Sequence, residues 1–413
     1  MKKVAMIVWN EFLNDARVLK EAQTLQYAGY QVRVFALHTP GVTRQQERLD
    51  GGIEVFRVAR SPFWRLRKRK TASAPQTSNG QGPIGKLGIK RQLLRLVARA
   101  WTHAALLIYM VRYRAHVVHS HDVNTLPTAW LASRISRAQL VYDAHEISTS
   151  REGYDSFRRL VGMVEKRLMP TAAGTITTTD ARAKYFARAY QVARPTVLQN
   201  RPRLTHCGPT NRIREELSLA EPWPIIIYQG GLQQGRGLEK LIHAAANVPY
   251  AYFVLIGGGR LAHSLDQLIG ELELQDRVRI IPTVPLAELP SYTASADIGV
   301  QPIENTCLNH YTTDSNKLFE YLIAGLPVVA TDFPEIRRIV RPNDVGVLVP
   351  ANDPLSLSHA LNVLVSDASL REAYAKNARS AAGSLNWEDQ ESRLIELYQR
   401  ILSPGSLFPQ ART

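Results

Sequence analysis

Residues 314–329, which read DSNKLFEYLIAGLPVV, predict a helix followed at once by a strand. Asp314 or Ser315 can cap the start of the helix. Gly325 stands where a helix commonly ends in a left-handed residue, and Pro327 prevents its continuation. In an open parallel sheet such a helix points its N-terminus at the crevice where ligands bind. The segment therefore predicts an α/β domain with a ligand site beside this helix terminus.

The same alternation of apolar strands and helix patterns fills both halves of the 413 residues. Continuous apolar strands between helices are typical of parallel sheets covered on both faces. We therefore predict two doubly wound, Rossmann-like α/β domains that face each other across a cleft. The predicted parts are a first domain at 1–200, a linker at 201–223, a second domain at 224–385, and a closing helix and tail at 386–413 that pack back on the first domain.

The composition excludes several classes of protein. Two cysteines, Cys207 and Cys307, provide no disulfide framework and fit a reducing compartment. The first apolar run, in KKVAMIVWN, is too short for a signal peptide, and the longest apolar candidate for a membrane span, Ala104–Val111, falls well short of the required roughly 18 residues. We expect a cytoplasmic protein.

Positive charge is concentrated in an insert at about 60–113. Between Val55 and His121 there are 14 Lys and Arg and no Asp or Glu. The segment contains WRLRKRK, a polar stretch at 70–88 with little to bury, and a basic, partly amphipathic helix pattern. With Trp64 and Trp101, this composition favours reversible binding to an anionic membrane surface. A solvated surface over a buried helix is the alternative.

The chemistry of the 314–329 helix suits a nucleotide diphosphate. Its N-terminus offers free N–H groups and a partial positive charge for the phosphates. Glu320 lies about 7 Å further along the axis at 1.5 Å per residue, near where the ribose of the same nucleotide would lie. The alternative is an ordinary capped helix on which Lys317 and Glu320 form a surface ion pair.

NKLFEYLIAGLPVVAT resembles the donor-binding signature of the retaining glycosyltransferases of family four, of the polysaccharide-assembly type, which have the GT-B fold. Further resembling segments follow in the family's order: YQGGLQQGRGLEKLIHA, YFVLIGGGR, DRVRIIPTVPLAELPSYTASADIGVQPI and NWEDQESRLIELYQRIL. The resemblance implies transfer of a sugar from a UDP- or GDP-linked donor to a glycan or lipid-linked acceptor, with retention, no cofactor and no metal.

Carried over residue by residue, the resemblance assigns Glu320 to the ribose and places the family's first acid at Thr312, where it is missing. Asp314 or Asn309 could replace its contact. In the phosphate loop, Leu232 stands in place of an Arg, and Arg236 in place of a Lys. The complete predicted donor set is Glu320, Arg236, Lys317, Ser315, Asn316, Gly231 and Gly257. Plain turn geometry is the alternative for Gly230, Gly231, Gly237 and Gly257–Gly259.

Polar clusters follow two strands of the first domain, in VVHSHDVNTLP and LVYDAHEIS. The resemblance places His145 beside the transferred sugar, so we predict His145 and Asp122 as catalytic residues and His121 and Asn14 on the acceptor side. Alternatives are a buried His145 bonded to Asp143, a metal held by His121, His145 and Asp122, and helix capping by Asp122 or Asn124. Asn14, Asp15 and Arg17 line the acceptor site or cap the first helix; capping is favoured.

Two other functions remain open at this level. The pI of about 9.9 allows a non-catalytic protein that binds nucleic acid or membrane, although no nucleic-acid motif is present. Another GT-B enzyme, such as a nucleotide-sugar epimerase or a phosphorylase, is the second. Donor-induced thermal stabilisation argues against the first, and nucleotide release that requires an acceptor argues against epimerisation.

Overall fold

The computed structural model describes residues 1–60, 89–151, 157–205 and 207–403, with the backbone alone for 89–92. The chain divides into two compact units. Unit 1 comprises Met1–Thr177, Ala183–Val197 and Arg393–Thr413, and unit 2 comprises Thr178–Arg182 and Leu198–Ser392. Trp64, WRLRKRK and the whole polar stretch at 70–88 lie outside the described residues.

Unit 1 is built on an eight-stranded sheet with the order β3-β4-β2-β1-β5-β6-β7-β8. All pairs are parallel except β3 with β4. The strands are β1 Lys3–Ile7, β2 Gln31–His38, β3 Gln46–Arg48, β4 Glu54–Ala59, β5 Val117–His121, β6 Gln139–Ala144, β7 Gly174–Thr177 and β8 Thr196–Val197. The helices are α1 Ala16–Tyr27, α2 Ile89–Tyr113, α3 Leu126–Ser136, α4 Arg158–Leu168 and α5 Asp180–Tyr190, whose first residues belong to unit 2.

Unit 2 is built on a six-stranded parallel sheet with the order β11-β10-β9-β12-β13-β14. The strands are β9 Ile225–Gln229, β10 Tyr252–Ile256, β11 Val278–Ile281, β12 Ile298–Gln301, β13 Val328–Thr331 and β14 Gly346–Val349. The helices are α6 Arg212–Glu216, α7 Leu238–Ala246, α8 Ala262–Glu271, α9 Leu289–Thr293, α10 Leu308–Tyr311, α11 Asn316–Ile323, α12 Pro334–Asn343, α13 Pro354–Ser366, α14 Ala368–Ala382 and α15 Trp387–Leu402.

These sheets confirm the predicted fold class of two doubly wound α/β domains. Burial explains why the sequence predicted the strands: β9 and β10 are buried along their whole length, so β10 is a continuous apolar run and β9 is apolar up to Gln229. Separate clusters of apolar side chains pack on the two faces of the unit 2 sheet, one containing Ile225 and Phe319 and the other Ile226 and Leu241. Helices therefore cover both faces, as the doubly wound arrangement requires.

The order of strands in unit 2 reverses between β9 and β12. These two strands pair only through Ile298 with Ile226 and Gly299 with Ile227, whereas β9 pairs with β10 through five residues. The carboxyl end of β9 is therefore at a topological switch point, the usual place for a ligand in an open α/β sheet. Gln229 is the last residue of β9.

Strand β3 differs from the sequence expectations. It was not predicted, because a three-residue antiparallel edge strand without buried side chains has no apolar pattern. The predicted linker contains the short helix α6, whose Ile213 is completely buried in the core of unit 2. The last helix divides between the units after Ser392.

Helix α2 corrects the expectation that no apolar stretch approaches the length of a membrane span. Within it, Leu93–Tyr113 is long and apolar enough to cross a membrane: an 18-residue window has a mean hydropathy of 1.2, and 22% of that window is buried. The sequence estimate missed it because the apolar residues are interrupted by Arg95, Arg99 and polar side chains. One such helix is weak evidence for a span, and the buried side chains of Leu106 and Met110 pack in the core of unit 1.

Candidate active site

Two glycines, one after β9 and one after β10, lie where the backbone packs too closely for any side chain. A Cβ on Gly257 would lie 2.0 Å from the carbonyl oxygen of Gly230, and one on Gly237 would lie 1.8 Å from that of Pro302. Both glycines also have positive φ. Turn geometry, the alternative reading, thus accounts for these two positions without a ligand.

Gly231 is different. Its φ is not in the left-handed region, and a Cβ there would meet only the Gln233 side chain at ordinary contact distances of 3.6–3.7 Å. The fold therefore does not demand glycine at this exposed position. Since the fold would tolerate a side chain here, the absence of one leaves space in which a ligand can approach the backbone closely.

Two cations converge next to the loop after β9. Lys317, in the first turn of α11, is buried, and its ammonium lies 4.6 Å from the centre of the Tyr228 ring. Burial and the nearby positive charge of Arg236 lower the pKa of Lys317 to about 7. Among the described residues, neither Lys317 nor Arg236 makes a hydrogen bond or a short ion pair. Two adjacent cations without a bonded anion form a site that favours a negatively charged ligand.

The start of α11 adds donors to the same place. Its N-cap residue is Ser315, with φ 58°, but the Ser315 side chain makes no capping hydrogen bond. The predicted capping by Asp314 is also wrong: its carboxylate is buried and accepts a hydrogen bond from Gln199 Nε2 at 2.7 Å. The helix terminus, with exposed Asn316 at its first position, therefore lacks a side-chain cap.

Glu320 lies one turn further along α11 and does not form the surface ion pair with Lys317 that the ordinary-helix reading required. Its carboxylate accepts a hydrogen bond from Gln229 Nε2, at the carboxyl end of β9. Tyr321 holds α11 against the sheet, since its one hydroxyl hydrogen is shared between the carbonyl oxygens of Ile227 and Val300, at O···O distances of 3.1 and 3.3 Å. Gly299 leaves room for the Tyr321 ring, because a Cβ would approach it to 2.4 Å.

Thr312, where the family's first acid is missing, is buried and has partners within unit 2. Its hydroxyl accepts a hydrogen bond from Arg182 Nε at 3.2 Å and donates to the Leu308 carbonyl oxygen at 2.7 Å. Arg182 also donates to the Asn309 carbonyl oxygen at 3.0 Å. A threonine here accommodates the buried guanidinium of Arg182.

Leu232, which stands in place of the family's phosphate-loop Arg, is completely buried and provides no cation.

In unit 1, the side chains predicted after β5 and β6 do come together. His145 Nε2 lies 3.0 Å from Asp143 Oδ2 and its Nδ1 lies 3.8 Å from Asp122 Oδ1. Although burial by itself lowers the pKa of His145, the two carboxylates raise it to about 9. His145 is therefore an imidazolium cation at neutral pH, and the Asp143 contact of the alternative reading is present alongside it.

The remaining predicted site residues of unit 1 are Asp122, His121 and Asn14. Asp122 has a left-handed φ of 61° and accepts from Arg151 Nη1 at 3.1 Å, so it does not cap α3, and neither does Asn124, which accepts from Arg99. His121 is buried, with Nδ1 3.3 Å from His145 Nε2. Asn14 is exposed, and Asp15 caps α1 by accepting from the Val18 N–H at 3.2 Å.

Sequence reasoning missed the roles of Arg17 and Glu21, which complete this cluster. Arg17 donates to both oxygens of Asp143, at 2.9 and 3.0 Å, and lies 3.1 Å from Glu21. The Arg17 guanidinium holds the pKa of Asp143 well below its usual range despite burial, whereas burial raises the pKa of Glu21 to about 8. In the sequence Arg17 and Glu21 look like ordinary polar positions of an amphipathic helix, and only their burial in the structure shows that they belong to this cluster.

This cluster does not match the metal site considered from the sequence. The potential ligand atoms that lie within 4.8 Å of one another belong to Glu21, His119, His121 and Asp143, not to His145 and Asp122. The carboxyl groups of Glu21 and Asp143 already contact the Arg17 guanidinium, so a metal ion would have to share them with this fixed positive charge. We therefore assign Arg17 as the counter-ion of the cluster.

Comparison with known protein families agrees with this architecture. Residues 15–201 match the "Glycosyl transferase 4-like domain" and residues 209–381 match "Glycosyl transferases group 1". The chain is therefore a glycosyltransferase of the GT-B class, with a family-four-like domain followed by a group 1 domain. This confirms the predicted class of enzyme.

Particular relatives are more distant. A D-inositol 3-phosphate glycosyltransferase of Xylanimonas cellulosilytica is 23% identical over 403 residues, covering 92% of this chain and 90% of the relative. Among solved structures, the sucrose-phosphate synthase of Thermosynechococcus elongatus has a TM-score of 0.76 at 20% identity and covers 97% of this chain and 99% of that one. HepE of Anabaena in complex with UDP-glucose has a TM-score of 0.72 at 17% identity, with 97% and 100% coverage. These structures share the fold.

Proposed function

We propose that this protein transfers a sugar from a nucleoside diphosphate to an acceptor and that unit 2 binds the donor. The observation that carries the proposal is the convergence of Lys317 and Arg236 on the uncapped start of α11, one turn before Glu320. Cations and helix N–H groups suit the diphosphate, and a carboxylate suits the ribose hydroxyls. Support comes from the solved complexes of HepE with UDP and with UDP-glucose, which share this fold.

The test is a thermal-shift screen with UDP-, GDP- and ADP-sugars, repeated on Glu320→Ala. A donor that stabilises the protein and loses this effect in Glu320→Ala supports the proposal. Glu388→Ala is the matched control, because Glu388 is an exposed glutamate on α15. No stabilisation by any sugar nucleotide, or the same stabilisation in Glu320→Ala, would contradict the donor assignment.

We further propose that transfer proceeds with retention of the anomeric configuration and without metal. For retention, the support is that Asp143 and Asp122 raise the pKa of His145 to about 9, and an imidazolium cannot itself be the base of an inverting attack. Arg236, Lys317 and the α11 terminus would instead stabilise the charge that develops on the leaving diphosphate. Anomeric proton couplings in the product distinguish the two outcomes, and an inverted product would refute retention. Activity that disappears with a chelator would contradict the absence of a metal.

For the acceptor, we propose a lipid-linked glycan at an anionic membrane surface. The first described turns of α2 support this, because large apolar side chains project from unit 1 there. Leu93, Leu94 and Leu96 are 61–69% exposed, and Arg95 and Arg99 lie among them. Each basic residue near an anionic surface contributes about 1 kcal/mol of binding. Because the later half of α2 packs in the core of unit 1, α2 would lie on the surface rather than span the bilayer.

Liposome sedimentation tests the membrane proposal. We expect binding to vesicles that contain anionic lipid and weak binding to neutral vesicles, with a clear loss in Leu94→Asp. Leu355→Asp is the matched control, because Leu355 is a 75% exposed leucine in unit 2. Equal binding to both kinds of vesicle would contradict the proposal.

Acceptor assays should include D-inositol 3-phosphate, the compound in the name of the relatives. Nucleotide release that needs no acceptor would favour hydrolysis or epimerisation over transfer.

A further inference from the structure

Gln229 occupies a buried position between two polar groups at the switch point of unit 2. It is 2% exposed, as is Thr293 at the end of α9. Gln229 Nε2 donates to a carboxylate oxygen of Glu320, and Gln229 Oε1 accepts from the Thr293 hydroxyl at 2.8 Å. The three side chains form one chain of hydrogen bonds from α9, through the end of β9, to α11.

The direction of this chain is fixed by chemistry. A carboxylate is only an acceptor, so the amide of Gln229 must turn its NH₂ group to Glu320. The amide oxygen then faces Thr293, whose hydroxyl must donate to it. The alternative proton position on Thr293, towards the Leu289 carbonyl oxygen at 3.0 Å, would leave the buried amide oxygen without a donor. Thr293 therefore holds the amide in the one orientation that suits Glu320.

We propose that Gln229, oriented by Thr293, is the positioning residue that aims the Glu320 carboxylate at the ribose hydroxyls and so sets the preference for ribonucleotides over deoxyribonucleotides. The inference rests on the proposed donor site and adds a determinant of its specificity. Both residues act through Glu320. Loss of either should therefore affect the recognition of the hydroxyls and leave the binding of the diphosphate in place.

The test compares binding of UDP and GDP with binding of their 2′,3′-dideoxy forms by calorimetry. The readout is the ratio of the two dissociation constants, because a merely structural change weakens both ligands alike. We expect the wild-type preference for the ribonucleotide to fall about tenfold or to disappear in Gln229→Leu and Thr293→Val, with little change for the dideoxy form. Thr293→Ser should restore the wild-type ratio.

Two controls separate the possible causes. Thr102→Val removes a buried hydroxyl in unit 1 that donates only to the Ala98 carbonyl oxygen at 2.8 Å, and it should keep the wild-type ratio. In a Glu320→Ala background, Gln229→Leu should have no additional effect on the ratio, because its route to the ribose is gone. Thermal melting verifies that each variant is folded.

The outcomes distinguish this inference from the donor assignment. A ratio that collapses in Glu320→Ala but stays at the wild-type value in Gln229→Leu or Thr293→Val overturns the positioning role and leaves the donor site standing. A ratio unchanged in Glu320→Ala, or no binding of any nucleotide to the wild-type protein, overturns both.

Discussion

If unit 2 binds the donor as proposed, we expect Lys317 to make this binding depend on pH, and the size of the effect follows from its surroundings. Burial, with Arg236 nearby, lowers the pKa of Lys317 to about 7 in the free protein. A bound diphosphate supplies the missing negative charge and favours the ammonium, so binding should take up a proton. Both phosphates of a sugar nucleotide are fully ionised near neutral pH, so the proton must be taken up by the protein.

The expected magnitude comes from the protonated fraction of Lys317. With a pKa of about 7, roughly nine tenths of the free protein carries the charge at about pH 6 and roughly one tenth at about pH 8. If only the charged form binds, the dissociation constant rises about tenfold over this range, equivalent to about 1.4 kcal/mol. The sign is fixed: binding is strongest below the lowered pKa and weakens above it.

Calorimetry with the best sugar nucleotide measures both quantities. The dissociation constant is determined from about pH 6 to about pH 8.5, and the proton uptake is obtained from buffers of different ionisation enthalpy. Lys317→Arg is the control, because an arginine stays charged throughout and should remove the dependence. A dissociation constant that is flat with pH in the wild-type protein, or a slope that persists in Lys317→Arg, would refute the reasoning.

Three further predictions concern stability and the phosphate loop. Gly257→Ala should lower the unfolding free energy by at least about 2 kcal/mol, because its Cβ would collide with the backbone, whereas Gly231→Ala should keep the melting temperature of the free protein and weaken the donor-induced shift. The opposite order of melting temperatures would contradict the distinction between these glycines. Arg236→Ala should weaken donor binding by about tenfold or more and Arg236→Lys by less, as measured by calorimetry; equal binding in all three proteins would exclude Arg236 from the site. Asp143→Asn removes the buried carboxylate that both the Arg17 guanidinium and the His145 ring contact, so chemical denaturation should show a loss of about 3 kcal/mol or more, and a change under 1 kcal/mol would contradict the buried ion pair.

The sequence predicted the sheets well where their strands are buried on both faces. Strand β10 is buried along its whole length and consists of apolar and aromatic residues alone. A strand buried on both faces is almost wholly apolar, so its ends coincide with the change in composition. Strand β3 lacks this property and was missed.

The sequence also identified the candidate donor helix, because glycine and proline at the end of a helix are local signals. Gly325 has a φ of 73° and ends α11, as a left-handed residue should. The expected capping by Asp314 or Ser315 was wrong, because Asp314 is directed to Gln199. Long-range hydrogen bonds of this kind leave no trace in local spacing.

What the sequence alone determined is therefore the class: two parallel α/β domains and a helix suited to a nucleotide donor, both written in local patterns of burial and turn chemistry. Only the tertiary structure decided the electrostatics. The lowered pKa of Lys317 depends on burial and on Arg236, and the roles of Arg17 and Gln229 depend on partners at least 64 positions distant in sequence. The charge of His145 depends on how the fold of unit 1 arranges Asp143 and Asp122 around its ring. Charge states follow from desolvation and from neighbours in space, and a linear pattern specifies neither.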